Sequence, residues 1–189
     1  MEALLTSTAV VALAEIGDKT QLLAILLATR FKKPLPIILG IFAATIGNHF
    51  LAALLGSEVA SVLDGQWFRL AIAASFIGMA IWTLIPDKID DLDEKPARFG
   101  AFVTTSIAFF LVEMGDKTQI ATIALGARFH DVIHVTMGTT IGMMLANVPA
   151  VFLGHELLKH VPLKVVRIIA ASLFLVIGVW LLMQSTGLI

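Results

Sequence analysis

The chain has 189 residues, 58% of them hydrophobic and 14% charged, with a mean hydropathy of +0.94 and a formal net charge of −1. A soluble domain carries about half apolar and a quarter charged residues, so this balance excludes one and points to a polytopic membrane protein. The near-neutral charge offers no basic patch to nucleic acid, and the absence of cysteine removes both disulfides and thiolate metal ligands.

A helix needs about 20 apolar residues to cross a bilayer core. Six stretches qualify, near residues 3–28, 35–56, 68–85, 99–126, 132–154 and 165–184. The first begins Met1-Glu2 without a basic n-region and contains Glu15, Asp18 and Lys19, so it reads as a retained spanning helix rather than a cleaved signal peptide. Pro34 and Pro36 open the second stretch, Pro86 closes the third and Pro162 precedes the sixth. The expected fold is an all-α integral membrane protein of six transmembrane helices. Residues 1–86 form a first three-helix repeat, 87–98 an acidic cytoplasmic linker and 99–189 a second three-helix repeat.

The division rests on an internal repeat. Glu15–Gln21 reads EIGDKTQ and Glu113–Gln119 reads EMGDKTQ, 98 positions later. The same offset pairs Arg30-Phe31 with Arg128-Phe129, Gly40 with Gly138 and Gly56 with Gly154. It also pairs Glu58 with Glu156, Arg69 with Arg167, Phe76 with Phe174 and Trp82 with Trp180. A constant register over three helices marks a duplicated unit. Three crossings per unit turn the second unit over, giving an inverted repeat of the kind common in secondary transporters. With the N-terminus outside, nine basic residues fall in cytoplasmic segments: Arg30, Lys32, Lys33, Lys88, Lys95, Arg98, Lys159, Lys164 and Arg167. Only Arg69 and Arg128 fall outside, which favours both termini outside.

Each charge at a bilayer centre costs about 3 kcal/mol on insertion scales, so the six motif charges must face inward and meet partners. At i, i+3 and i+4, Glu15, Asp18 and Lys19 share one face of one helix, as do Glu113, Asp116 and Lys117. Inverted symmetry brings the two faces together near the midplane. Four carboxylates and two ammoniums leave −2, which a divalent cation neutralises. Thr20, Gln21, Thr118 and Gln119 add oxygen donors, as do Asn48 and Asn147 in the second and fifth helices. An oxygen set suits hard cations such as Ca²⁺, Mn²⁺ or Mg²⁺. Gly17 and Gly115 allow either close helix approach or a local break that frees a carbonyl. Carboxylates held between burial and nearby ammoniums also suit the exchange of a cation for protons.

The remaining polar features read as structural. His49 lies beside Asn48, but its repeat equivalent is Asn147, so it reads as a satisfied polar contact. His130, His134, His155 and His160 lie near loops and read as solvated. The linker acids Asp87, Asp90, Asp91, Asp93 and Glu94 lack the pattern of a calcium loop. Gly138-x-x-x-Gly142 suits close packing inside the fold or between protomers of a homodimer. Pro149 predicts a kink near Asn147, and Trp67 and Trp82 read as interfacial anchors.

A doubled E-x-G-D-K-T motif in a six-helix duplicated chain resembles the manganese/calcium cation–proton exchangers of Golgi, chloroplast and bacterial membranes. The short bacterial members include Mne-type manganese exporters. The resemblance covers essentially the whole chain. It implies metal binding and proton exchange at Glu15, Asp18, Glu113 and Asp116, with Lys19, Thr20, Lys117 and Thr118 completing the motifs. It also implies Mn²⁺ as the preferred ion, with Ca²⁺ as the other candidate, and a bacterial inner-membrane location. No resident cofactor is expected, since the cation and protons are substrates and lipid surrounds the chain. Three readings compete with this non-enzymatic antiporter. A divalent cation channel would use the same acids but needs a continuous path. An ion-pair network that only fixes helix register is costlier than apolar packing. An intramembrane hydrolase lacks a nucleophile with an oriented base.

Overall fold

A backbone in hydrocarbon must satisfy its own polar groups, and a helix does so within one segment. The computed structural model describes residues 1–63, 65–85, 99–154 and 162–188. The linker at 87–98, with His155 and His160, lies outside the described residues. Among the described residues there are eight helices and no strand: α1 (Glu2–Glu15), α2 (Lys19–Phe31), α3 (Pro34–Val62), α4 (Gln66–Thr83), α5 (Ala101–Glu113), α6 (Lys117–Phe129), α7 (Val132–Leu153) and α8 (Leu163–Thr186). By length and composition α3, α7 and α8 suffice to cross a membrane.

The first and fourth expected spans are each broken into two half-helices, and both breaks fall inside the motif. This corrects the expectation that Glu15, Asp18 and Lys19, or Glu113, Asp116 and Lys117, share a face of one helix. The cause is a tight turn. Asp18 N–H donates to the Glu15 carbonyl at 3.0 Å, and Asp116 N–H to the Glu113 carbonyl at 3.1 Å. Ile16 and Met114 are extended (φ −65°, ψ 115° and φ −63°, ψ 119°). Gly17 and Gly115 follow at φ +80° and +78°. That is a type II turn, whose third residue needs positive φ and so favours glycine. Asp18 and Asp116 then sit as N-caps of α2 and α6, where the helix dipole favours a carboxylate.

The 98-residue register persists in three dimensions. Both α2 and α6 end on a left-handed residue, Lys32 (φ 51°) and His130 (φ 52°). The Arg30 guanidinium lies 5.7 Å from the Phe31 ring centroid, and that of Arg128 lies 5.8 Å from Phe129. Helices α1 and α2 of the first half pack on α7 of the second, while α5 and α6 pack on α3. Helix α4 packs on α8, where Phe76 meets Phe174 with centroids 6.2 Å apart. These two phenylalanines are repeat equivalents, so the same position of each half meets at this contact.

Close approach has the same symmetry. A Cβ on Gly40 would stand 2.8 Å from the Phe102 carbonyl oxygen, and one on Gly138 would stand 2.5 Å from that of Leu4. The Gly138-x-x-x-Gly142 pair therefore packs inside the fold, against α1. Helix α7 runs through Pro149 as one element. Outward, Phe42, Ile46, Phe50, Ile133, Met137 and Ile141 are exposed and form an apolar face suited to lipid.

Three glycine substitutions separate these effects. Gly115→Ala meets open space but forces a positive φ, and is expected to cost about 1–2 kcal/mol. Gly40→Ala overpacks the α3–α5 contact and costs about 1–3 kcal/mol. Gly78→Ala, in α4 with nothing within 4 Å among the described residues, raises stability by up to about 1 kcal/mol. Thermal unfolding of the detergent-solubilised protein checks the order.

Candidate metal site

The broken helices deliver the motif side chains from helix ends. Glu15 and Glu113 close α1 and α5, where the negative end of each helix dipole adds to the carboxylate and favours a cation. Asp18 and Asp116 open α2 and α6. All four carboxylates are buried. Glu15, Glu113 and Asp116 offer oxygens that lie within 4.8 Å of one another. The group thus draws on both halves. Three carboxylates this close repel in a low dielectric unless protons or a cation intervene.

Asp18 is not a member of this group; it pairs with Lys117. The reciprocal pair joins Lys19 Nζ to Asp116 Oδ1 at 2.8 Å. The lysine of each motif therefore neutralises the aspartate of the other. Each threonine instead serves its own motif. Thr20 Oγ1 donates to Glu15 Oε2, and Thr118 Oγ1 donates to Glu113 Oε2 at 3.0 Å.

The glutamines brace the turns. Gly17 N–H donates to Gln21 Oε1 at 2.9 Å, and Gly115 N–H to Gln119 Oε1 at 2.6 Å. Gln21 Nε2 donates to the Ala146 carbonyl at 2.9 Å, and Gln119 Nε2 to Asn48 Oδ1. Positions 48 and 146 are repeat equivalents, so both glutamines reach the same place on the opposite half. The amide oxygens of Gln21, Gln119 and Asn48, expected as cation donors, each accept an N–H here. Asn147 differs: its Nδ2 donates to the Met143 carbonyl at 3.1 Å, while its buried Oδ1 has no hydrogen-bond partner among the described residues.

His49 is not the satisfied contact expected of it. The ring is fully buried, and neither nitrogen has a hydrogen-bond partner among the described residues. Its Nε2 lies 3.6 Å from Glu113 Oε2. The crossed lysine pairs were also not anticipated, because spacing along one chain does not reveal which half a lysine serves. The turn was closer to legible: a Gly third in E-x-G-D, followed by Asp before a helical run, is a type II turn leading into an N-cap.

The two sides of the site are not alike. The Leu163 side chain covers the Gly17 turn, so that a Cβ there would stand 2.6 Å from Leu163 Cδ2, while among the described residues nothing lies within 4 Å of one on Gly115. Correspondingly the Lys19 side chain is 31% exposed and that of Lys117 is 3% exposed.

Sequence comparison adds an independent line. Residues 3–91 and 101–188 match the family described as divalent cation/proton antiporter GDT1. The chain is 51% identical over 179 residues to a Vibrio cholerae protein named "Putative manganese exporter", covering 94% of this chain and 89% of that one. It is 27% identical over 212 residues to GDT1-like protein 5 of Arabidopsis thaliana, covering 92% of each. It is 28% identical over 200 residues to GDT1-like protein 3 of Oryza sativa subsp. japonica, covering 92% of this chain and 71% of that one. No solved structure matches.

The unequal burial of the two crossed pairs yields a stability prediction. Lys117→Ala removes a buried partner of a buried carboxylate and is expected to cost about 3–5 kcal/mol. Lys19→Ala, at the more exposed pair, costs less. Denaturation of the two variants in one detergent measures the difference, and equal losses would show that burial does not set it.

Proposed function

The chain belongs to the GDT1 family of divalent cation/proton antiporters, and from that premise we propose that it exports Mn²⁺ across a bacterial inner membrane in exchange for entering protons. Ca²⁺ is the other ion the oxygen donors suit. The observation that carries this reading is the approach of Glu15, Glu113 and Asp116 to within 4.8 Å of one another, from both halves and with all three buried. With Lys19 paired to Asp116, such a group is neutralised either by a divalent cation or by protons, and a site with two mutually exclusive occupants is what exchange requires.

Each residue then has a role. Glu15, Glu113 and Asp116 hold the cation or the protons. Asp18 with Lys117 and Lys19 with Asp116 balance charge between the repeats, so that cation release leaves Asp116 a positive partner. Thr20 and Thr118 orient the glutamates, and Gln21, Gln119, Gly17 and Gly115 fix the turns. The repeats are residues 1–86 and 99–189, joined by a cytoplasmic linker at 87–98, with both termini outside. The Mn²⁺ preference draws support from the name of the 51% identical Vibrio cholerae relative. Alternating access draws support from the unequal sides of the site, covered by Leu163 at Gly17 and uncovered at Gly115. A channel would need a path open on both sides at once.

The test is Mn²⁺ uptake into proteoliposomes with and without an imposed pH gradient. Vesicles acidic inside should accumulate Mn²⁺ saturably as protons leave. Asp116→Asn should lower the rate by about 10–100-fold or more, the range for damage to a metal site. Flux indifferent to both the gradient and the substitution would sink the exchanger reading.

A further inference from the structure

His49 is a buried polar group that the crossed pairs and the turns leave unused. It sits in the middle of α3, fully buried, with no hydrogen bond to either ring nitrogen among the described residues. Leaving such a group unsatisfied costs about 1–3 kcal/mol, so a polar or metal partner at the ring is stabilising. Its Nε2 points at the cluster, 3.6 Å from Glu113 Oε2. Donor atoms lie about 2.0–2.6 Å from a divalent ion, so two donors on one ion stand roughly 3–5 Å apart. The separation of the imidazole from the carboxylate falls in that range.

We propose that His49 is a nitrogen ligand of the transported cation and sets the preference for Mn²⁺ over Ca²⁺. This rests on the exchanger reading and adds to it what the carboxylates do not supply. Three carboxylates bind hard divalent ions with little discrimination, and Ca²⁺ takes oxygen ligands. Imidazole is a borderline donor that binds transition metals, and a neutral ring adds no charge. Repeat symmetry does not account for the histidine. Its equivalent is Asn147, also fully buried, whose Oδ1 likewise has no hydrogen-bond partner among the described residues. At this position one half carries an imidazole and the other an amide.

Two measurements test this. Pulsed electron paramagnetic resonance of Mn²⁺ bound to the solubilised wild-type protein should show modulation from a directly bonded nitrogen, lost in His49→Asn. In proteoliposomes, the Ca²⁺ concentration that halves Mn²⁺ uptake should fall by about tenfold in His49→Asn, which replaces the ring with the residue of the other repeat. Gradient-driven Mn²⁺ uptake by the wild type without bonded-nitrogen modulation would overturn the role of His49 and leave the exchanger reading intact. So would unchanged modulation in His49→Asn, or a Mn²⁺-to-Ca²⁺ preference within about twofold of wild type. If the wild type neither binds nor moves Mn²⁺, both readings fall. If His49→Asn does not fold, the wild-type spectrum alone decides.

Discussion

Charge compensation between the two halves is the constraint on which this architecture depends. Six ionisable side chains sit among helices otherwise suited to hydrocarbon, and each is expensive there without a partner. The solution is reciprocal: Lys19 serves Asp116, and Lys117 serves Asp18. Each motif is thus charge-paired across the interface with the other half. The packing follows the same logic, with α1 and α2 on α7 and with α5 and α6 on α3, so that the interface between the halves is also the interior of the protein.

The broken helices convert this electrostatic frame into a site. A continuous helix would string Glu15, Asp18 and Lys19 along one face, with carbonyls locked in the ladder. The type II turn instead puts a glutamate at a helix C-terminus and an aspartate at the next N-terminus. The dipole stabilises the aspartate and adds negative potential beside the glutamate. The glutamate is therefore the group that most needs a positive partner, be it a metal ion or a proton. The Gln21 and Gln119 amides hold the turns rigid by accepting the glycine N–H groups.

Much of this was legible in the sequence. The duplication, the helix positions and the burial of both motifs follow from hydropathy and a constant offset, because membrane helices have a strong local signature. The breaks at Gly17 and Gly115 were one of two stated options, and the choice lay in local turn chemistry. What escaped was non-local. No spacing rule shows that Lys117 reaches Asp18, that Asp18 stands outside the group formed by Glu15, Glu113 and Asp116, or that Leu163 covers one turn and leaves the other open. His49 was misread for the same reason: whether a buried ring is satisfied depends on neighbours brought in by other helices.

The crossed pairs also bear on the order of synthesis. Residue 18 leaves the ribosome 99 residues before its partner Lys117, and residue 19 leaves 97 before Asp116. At about 5–20 residues per second, the delay is roughly 5–20 s. During that interval the first half enters the membrane with its motif charges awaiting counter-ions still to be translated. The nascent N-terminal half must therefore remain near water, the translocon or a partner helix, and only arrival of the second motif allows it to seal. Charge pairing of the first motif is therefore complete only once the start of α6 has been made.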